Sequence, residues 1–217
     1  MLKLLVVYLH LLATCAAVGL VIAADIKLLG KVWLRLQSRR RGGRLEPLRL
    51  APPGEFVTRL VSVSLVVLLI TGAMLVAMAL DERPDALSNG KLLGKMLLVA
   101  VLGINAVVLH RLTFVRLARP EGLRMRGAAD VGTLVWRIAL PAAVSTGLWA
   151  YCAFLGIARP WNHAISLAET VGLGLAVVAA LWAVLAGMLV VAASPVRSSV
   201  TPLPTVRPAS PARAGSA

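Results

Sequence analysis

The chain has 217 residues, of which 59% are hydrophobic and 15% charged, and its mean hydropathy is +0.86. Soluble domains carry roughly 45–50% apolar and about 25% charged residues, which excludes a water-soluble globule, and the apolar content excludes intrinsic disorder. Twenty-three Lys and Arg against nine Asp and Glu give a formal charge of +14, yet aromatics are only 5% of the chain. Without a basic stripe interleaved with aromatics, the charge does not point to nucleic acid.

A hydrocarbon core about 30 Å thick is crossed by roughly 20 apolar residues in helical form. Five Leu-, Ala- and Val-rich runs meet that length, at about residues 2–24, 57–80, 92–114, 134–157 and 164–193. None alternates with a period of two as a barrel strand does. The reading is therefore all-α, a polytopic bundle of five transmembrane helices. The first run has Lys3 before it and Ala23-Ala24 near its end, as a signal peptide would. It is too long for a signal h-region and leads into a strongly basic segment, so it reads as a retained helix. In the fourth run Pro141 is expected one turn inside the start, where a missing N–H costs little. The last run is longer than a crossing needs, which points to tilt or emergence.

The connectors set the orientation. Lys31, Arg35, Arg39, Arg40, Arg41, Arg44 and Arg49 follow the first run, whereas Asp81, Glu82, Arg83 and Asp85 follow the second. Arg111, Arg116, Arg119, Arg124, Arg126 and Arg137 surround the third connector, and Arg159 stands alone in the fourth. Excess Lys and Arg mark cytoplasmic loops, giving an N-out, C-in arrangement in a bacterial-type inner membrane with anionic lipid headgroups as partners. Residues 39–53 read as an irregular loop. From Ser194 to Ala217, Pro195, Pro202, Pro204, Pro208 and Pro211 stand among Ser, Ala and Arg, the composition of a disordered tail.

Ionisable groups in lipid need a partner or a role. His10 and Lys95 are expected together in the outer third of the bundle, with Glu169 and His163 near the same surface. That group is the candidate cofactor site (His10, Lys95, Glu169) and the candidate metal site (His10, His163). A bland alternative stands beside it, with Lys95 snorkelling and Glu169 solvated at a helix end. Asp25 and His110 are expected near the inner boundary as a structural pair, and Asn105 is expected to bond between helices. Cys15 and Cys152 both lie in apolar runs, which leaves no disulfide framework or CxxC site. The string KLLGK occurs at Lys27–Lys31 and Lys91–Lys95, a coincidence of Leu-rich composition. Ala168, Gly172, Ala176 and Ala180 form a stripe of small residues, as do Ala13/Ala17 and Gly19/Ala23. Such stripes place the first and fifth helices in the bundle interior.

Tyr8-Leu9-His10 in the first helix, with Gly94-Lys95, Gly103-Ile104-Asn105 and Leu109-His110 in the third, carries a resemblance over residues 1–115. It resembles uncharacterised bacterial inner-membrane bundles and, more distantly, the HemJ-type protoporphyrinogen oxidases and copper-resistance D proteins. The resemblance implies a haem b site with His10 as axial ligand and Lys95 as the cation facing substrate or propionate. The fifth helix and the basic tail depart from that pattern. Three functions are compatible with these residues. They are a structural or assembly partner, acting with a membrane protein or a second copy; a haem- or porphyrin-associated redox protein; and a translocator of a small solute, metal or protons.

Overall fold

The computed structural model describes residues 1–41, 49–118 and 128–194. Five helices are long and apolar enough to cross a membrane, and no strand occurs among the described residues. They are α1 (Leu2–Arg40), α2 (Glu55–Glu82), α3 (Gly90–Leu117), α4 (Asp130–Ile157) and α5 (Leu167–Ala193). The chain is thus a multi-pass α-helical membrane protein. The arginines of the third connector from 119 to 126 and all of the tail after Ser194 lie outside the described residues, as do residues 42–48 of the first connector.

Hydropathy gives the extent of the apolar run, and the helices outlast it. The first run fades near Ala24, yet α1 continues to Arg40, 39 residues in all and about 58 Å at 1.5 Å per residue. Leu, Lys, Arg and Gln favour helix, and no proline interrupts the segment. Val32 in this extension is buried against Leu189 and Ala192 of α5, and Arg35 Nε donates to the Ala192 carbonyl at 2.8 Å. A cation there satisfies one of the carbonyls left open at a helix C-terminus. At its start, α5 is fixed by a capping box. The Ser166 hydroxyl accepts from the Glu169 amide at 3.1 Å, and the Glu169 carboxylate accepts from the Ser166 amide at 2.8 Å.

The interior belongs to α4. In its most apolar window 56% of residues are buried, against 17–22% for the other four helices, which corrects the expectation that the first and fifth helices lie inside. Ala139 and Ala143 of α4 are fully buried, and Ala17 of α1 packs in a core with Leu148 and Cys152 of the same helix α4. On α5 the stripe Ala168, Gly172, Ala176 and Ala180 faces outward, as do Gly19 and Ala23 on α1. Thr170, Gly174 and Val178 are the buried residues instead.

The close helix approach is made by a different small-residue pair. Gly90 and Gly94 form a GxxxG unit on α3, the spacing that lets two backbones meet. A Cβ on Gly94 would stand 2.6 Å from Thr170 Cγ2, and one on Gly90 would stand 2.5 Å from the Leu167 amide nitrogen. Lys91 between them is buried, and its Nζ donates to the Ala158 carbonyl at 2.6 Å and to Asn162 Oδ1 at 2.8 Å. It neutralises the C-terminal end of α4.

Pro141 also sits differently from its expected place. Because α4 begins at Asp130 rather than Leu134, the proline lies well inside the helix, where its missing N–H leaves the Arg137 carbonyl without an α-helical donor. Residues Thr133–Ala139 adopt a π turn, with the Leu140 amide donating to Val135. Neighbouring helices complete the repair. Thr113 Oγ1 donates to the Arg137 carbonyl at 2.9 Å, Trp182 Nε1 to Val135 at 3.0 Å, and Asn105 Nδ2 to Pro141 at 2.9 Å. Thr113 itself lies in a π turn of α3, Leu109–Thr113, facing the first.

This packing orders two substitutions. Gly94→Leu is expected to lower the unfolding free energy in detergent by about 1–3 kcal/mol through overpacking. Ala176→Leu, on an exposed face, leaves thermal unfolding where it was. A reversed ranking would exchange the interior and lipid faces of α5.

Candidate functional site

His10 is half-buried on α1 and meets α2. Its Nδ1 lies 2.8 Å from Thr71 Oγ1, while the same hydroxyl donates to the Val67 carbonyl at 2.7 Å. A hydroxyl has one proton to give. With that proton on Val67, Thr71 accepts from His10, which places the imidazole proton on Nδ1 and leaves the Nε2 lone pair unused. Lys95 reaches α4, where a Cβ added to Gly156 would stand 3.6 Å from its Nζ. It makes no ion pair among the described residues.

The other two members of the expected group stand apart. Glu169 is exposed, and its carboxylate accepts from the Ser166 amide and hydroxyl; it forms no ion pair with Lys95. Its role in the fold is to cap α5. His163 is exposed with a φ of 59°, in the turn that precedes the cap. The ion pair at this end of the molecule joins Lys3 to Glu82 at 2.5 Å, with both side chains exposed.

The larger feature lies toward the arginine-rich end. A cavity of about 540 Å³ is bounded by α1, α2, α3 and α4, within the range typical of small-molecule sites. Leu20, Leu28, Val61, Leu65, Leu102 and Trp149 give it an apolar wall, and Ala51–Gly54 border its mouth. Its fourth side is open for a structural reason. Helix α2 packs along α1 and scarcely touches α3, so those two helices flank a gap rather than form a seam.

The polar groups around this cavity are mostly committed. Asn105 and Thr113 hold the Pro141 region, and His110 meets Phe114 edge-on at 5.4 Å between ring centroids. Asp25 differs. Thr146 Oγ1 donates to Asp25 Oδ2 at 2.7 Å, whereas Oδ1 has no hydrogen-bond partner among the described residues. No fully buried side-chain oxygen or nitrogen lacks a partner, so Oδ1 borders open space. Thr146 is near the middle of α4, and the expected boundary pairing of Asp25 with His110 gives way to this contact. Lys27 and Lys31 line the same cavity.

For a haem, the donor chemistry fits in one respect: Nδ1 is held by Thr71, and Nε2 is the nitrogen left for a metal. The enclosure does not fit, because neither His10 nor Lys95 lines the 540 Å³ cavity. Sequence reasoning missed this cavity because Asp25 read as the end of an apolar run. The signal that could have found it was an acidic residue before more than three further turns of uninterrupted helix-forming sequence. No family model, curated protein or solved structure matches the chain.

Two measurements check the contacts. Thr71→Val is expected to release the His10 tautomer, so that the single Nδ1–H signature in ¹⁵N NMR becomes a mixture. Asn105→Ala is expected to lower the unfolding free energy by about 1 kcal/mol, the scale of interhelical hydrogen bonds in membranes; an unchanged value would remove Asn105 from the support of α4.

Proposed function

We propose that this chain is a multi-pass protein of the bacterial cytoplasmic membrane that works by binding: it holds a bilayer-dissolved amphiphile between α1, α2, α3 and α4. In this reading the arginine-rich connectors face the cytoplasm and meet anionic headgroups, with the N-terminus outside. The observation that carries the proposal is the 540 Å³ cavity itself, apolar over most of its wall and flanked by the gap between α2 and α3. A molecule dissolved in the bilayer reaches such a site sideways, without leaving lipid.

Binding is favoured over chemistry by what the nearby polar side chains do. Asn105 and Thr113 satisfy backbone carbonyls, and Thr146 orients Asp25. Each is committed to a fixed contact rather than poised for proton or group transfer. The assembly role expected from composition is compatible with this reading, since a protein that holds a lipid-phase ligand can present it to a partner.

Trp149 lines the cavity and is itself buried, so it serves as a reporter. The fluorescence difference between the wild type and Trp149→Phe isolates its emission. In vesicles containing phospholipids with brominated chains, that component is expected to be quenched. Ala106→Phe, which places a ring in the cavity, should restore it. Emission indifferent to bromine in the wild type would sink the proposal.

A further inference from the structure

The cavity wall carries charges of both signs. Asp25 lines it with Oδ2 held by Thr146 and Oδ1 left open. Lys27 and Lys31 line it from the same helix, the second about 9 Å from Asp25 along the axis. Helix α1 forms no ion pair among these three groups. A carboxylate beside an apolar cavity calls for a cationic hydrogen-bond donor. Two ammonium groups on the same wall call for an anion.

A lone amine would satisfy Asp25 and be repelled by the lysines. A lone phosphate would satisfy the lysines and leave Asp25 facing a like charge. One membrane component supplies both groups: a phospholipid whose phosphate is followed by a primary ammonium. Building on the amphiphile reading of the cavity, we propose that the site recognises the headgroup of an amine-bearing, zwitterionic phospholipid. Its N–H groups meet Asp25 Oδ1, its phosphate lies between Lys27 and Lys31, and its chains pass through the gap between α2 and α3.

The N–H donors matter separately from the charge. A trimethylated ammonium carries the same charge but cannot donate a hydrogen bond to Oδ1. Hydrogen bonds to charged groups are the stronger kind, so the two headgroups should differ in apparent affinity by about tenfold.

The experiment uses the full chain in vesicles of unbrominated phosphatidylcholine, with brominated-chain guests of three headgroups: ethanolamine, choline and glycerol. Half-quenching of the Trp149 component is expected at about tenfold lower guest fraction for ethanolamine than for choline. Glycerol, lacking a cation, should be the weakest. Asp25→Asn should remove the ethanolamine preference while leaving quenching itself in place. Lys27→Gln with Lys31→Gln should weaken ethanolamine and choline guests alike. The wild-type ranking stands as a test even where a variant fails to fold. Equal quenching by all three guests overturns headgroup recognition and leaves the amphiphile reading standing. Strongest quenching by the glycerol guest also overturns it, in favour of an anion site. Absence of quenching by any guest overturns both.

Discussion

A proline in the middle of a buried transmembrane helix creates a debt in hydrogen bonds that lipid cannot settle. Every backbone polar group at that depth has to find a partner within the protein. At Pro141 the solution is distributed. The backbone shifts to a π turn, Thr113 reaches the Arg137 carbonyl, and Asn105 and Trp182 bond the carbonyls on either side. Those three side chains come from α3 and α5, so the repair also fixes how both helices sit on α4. The buried position of α4 follows, because only a helix enclosed by neighbours can have its carbonyls served from two sides.

The same constraint shapes the cavity. Asn105 and Thr113 of α3 are bound to the backbone of α4, and the wall of the space between α1, α2 and α3 is largely apolar. Asp25 is the exception, held through one oxygen by Thr146 and open at the other. At the opposite end, the Gly90–Gly94 seam and the Lys91 contact with Ala158 draw α3, α4 and α5 together. One end of the bundle is thus closed by backbone approach, and the other keeps the cavity of about 540 Å³.

The class of protein and the number of helices were legible from apolar run length, because lipid imposes that length directly. Cross-helix bonding by Asn105 was legible for the same reason: an amide in hydrocarbon needs a partner. Helix ends were not. A hydropathy limit marks where apolar residues stop, while Leu, Lys and Arg continue helix freely, as Ala24–Arg40 does. Facing was misread on α5 because the longest small-residue stripe is exposed, whereas the shorter GxxxG unit in α3 makes the close contact. Glu169 illustrates a further ambiguity. Its position three residues after Ser166 is the spacing of a capping box, but its place near Lys95 in depth suggested a charge pair. Local geometry prevailed over long-range electrostatics. The cavity lies away from His10 and Lys95, because its walls depend on how the helices lean against one another, which run lengths and depths along single helices do not give.

Helix α1 is longer than a bilayer's hydrocarbon is thick, so it must lean or project. Since α2 packs along α1 and scarcely touches α3, whatever lean α1 adopts carries α2 with it. Helix α1 is itself anchored on the other three, by Thr146 on Asp25 and by Arg35 on the Ala192 carbonyl. The second helix therefore joins the bundle through α1, and it borders the cavity as a wall with one substantial helical neighbour.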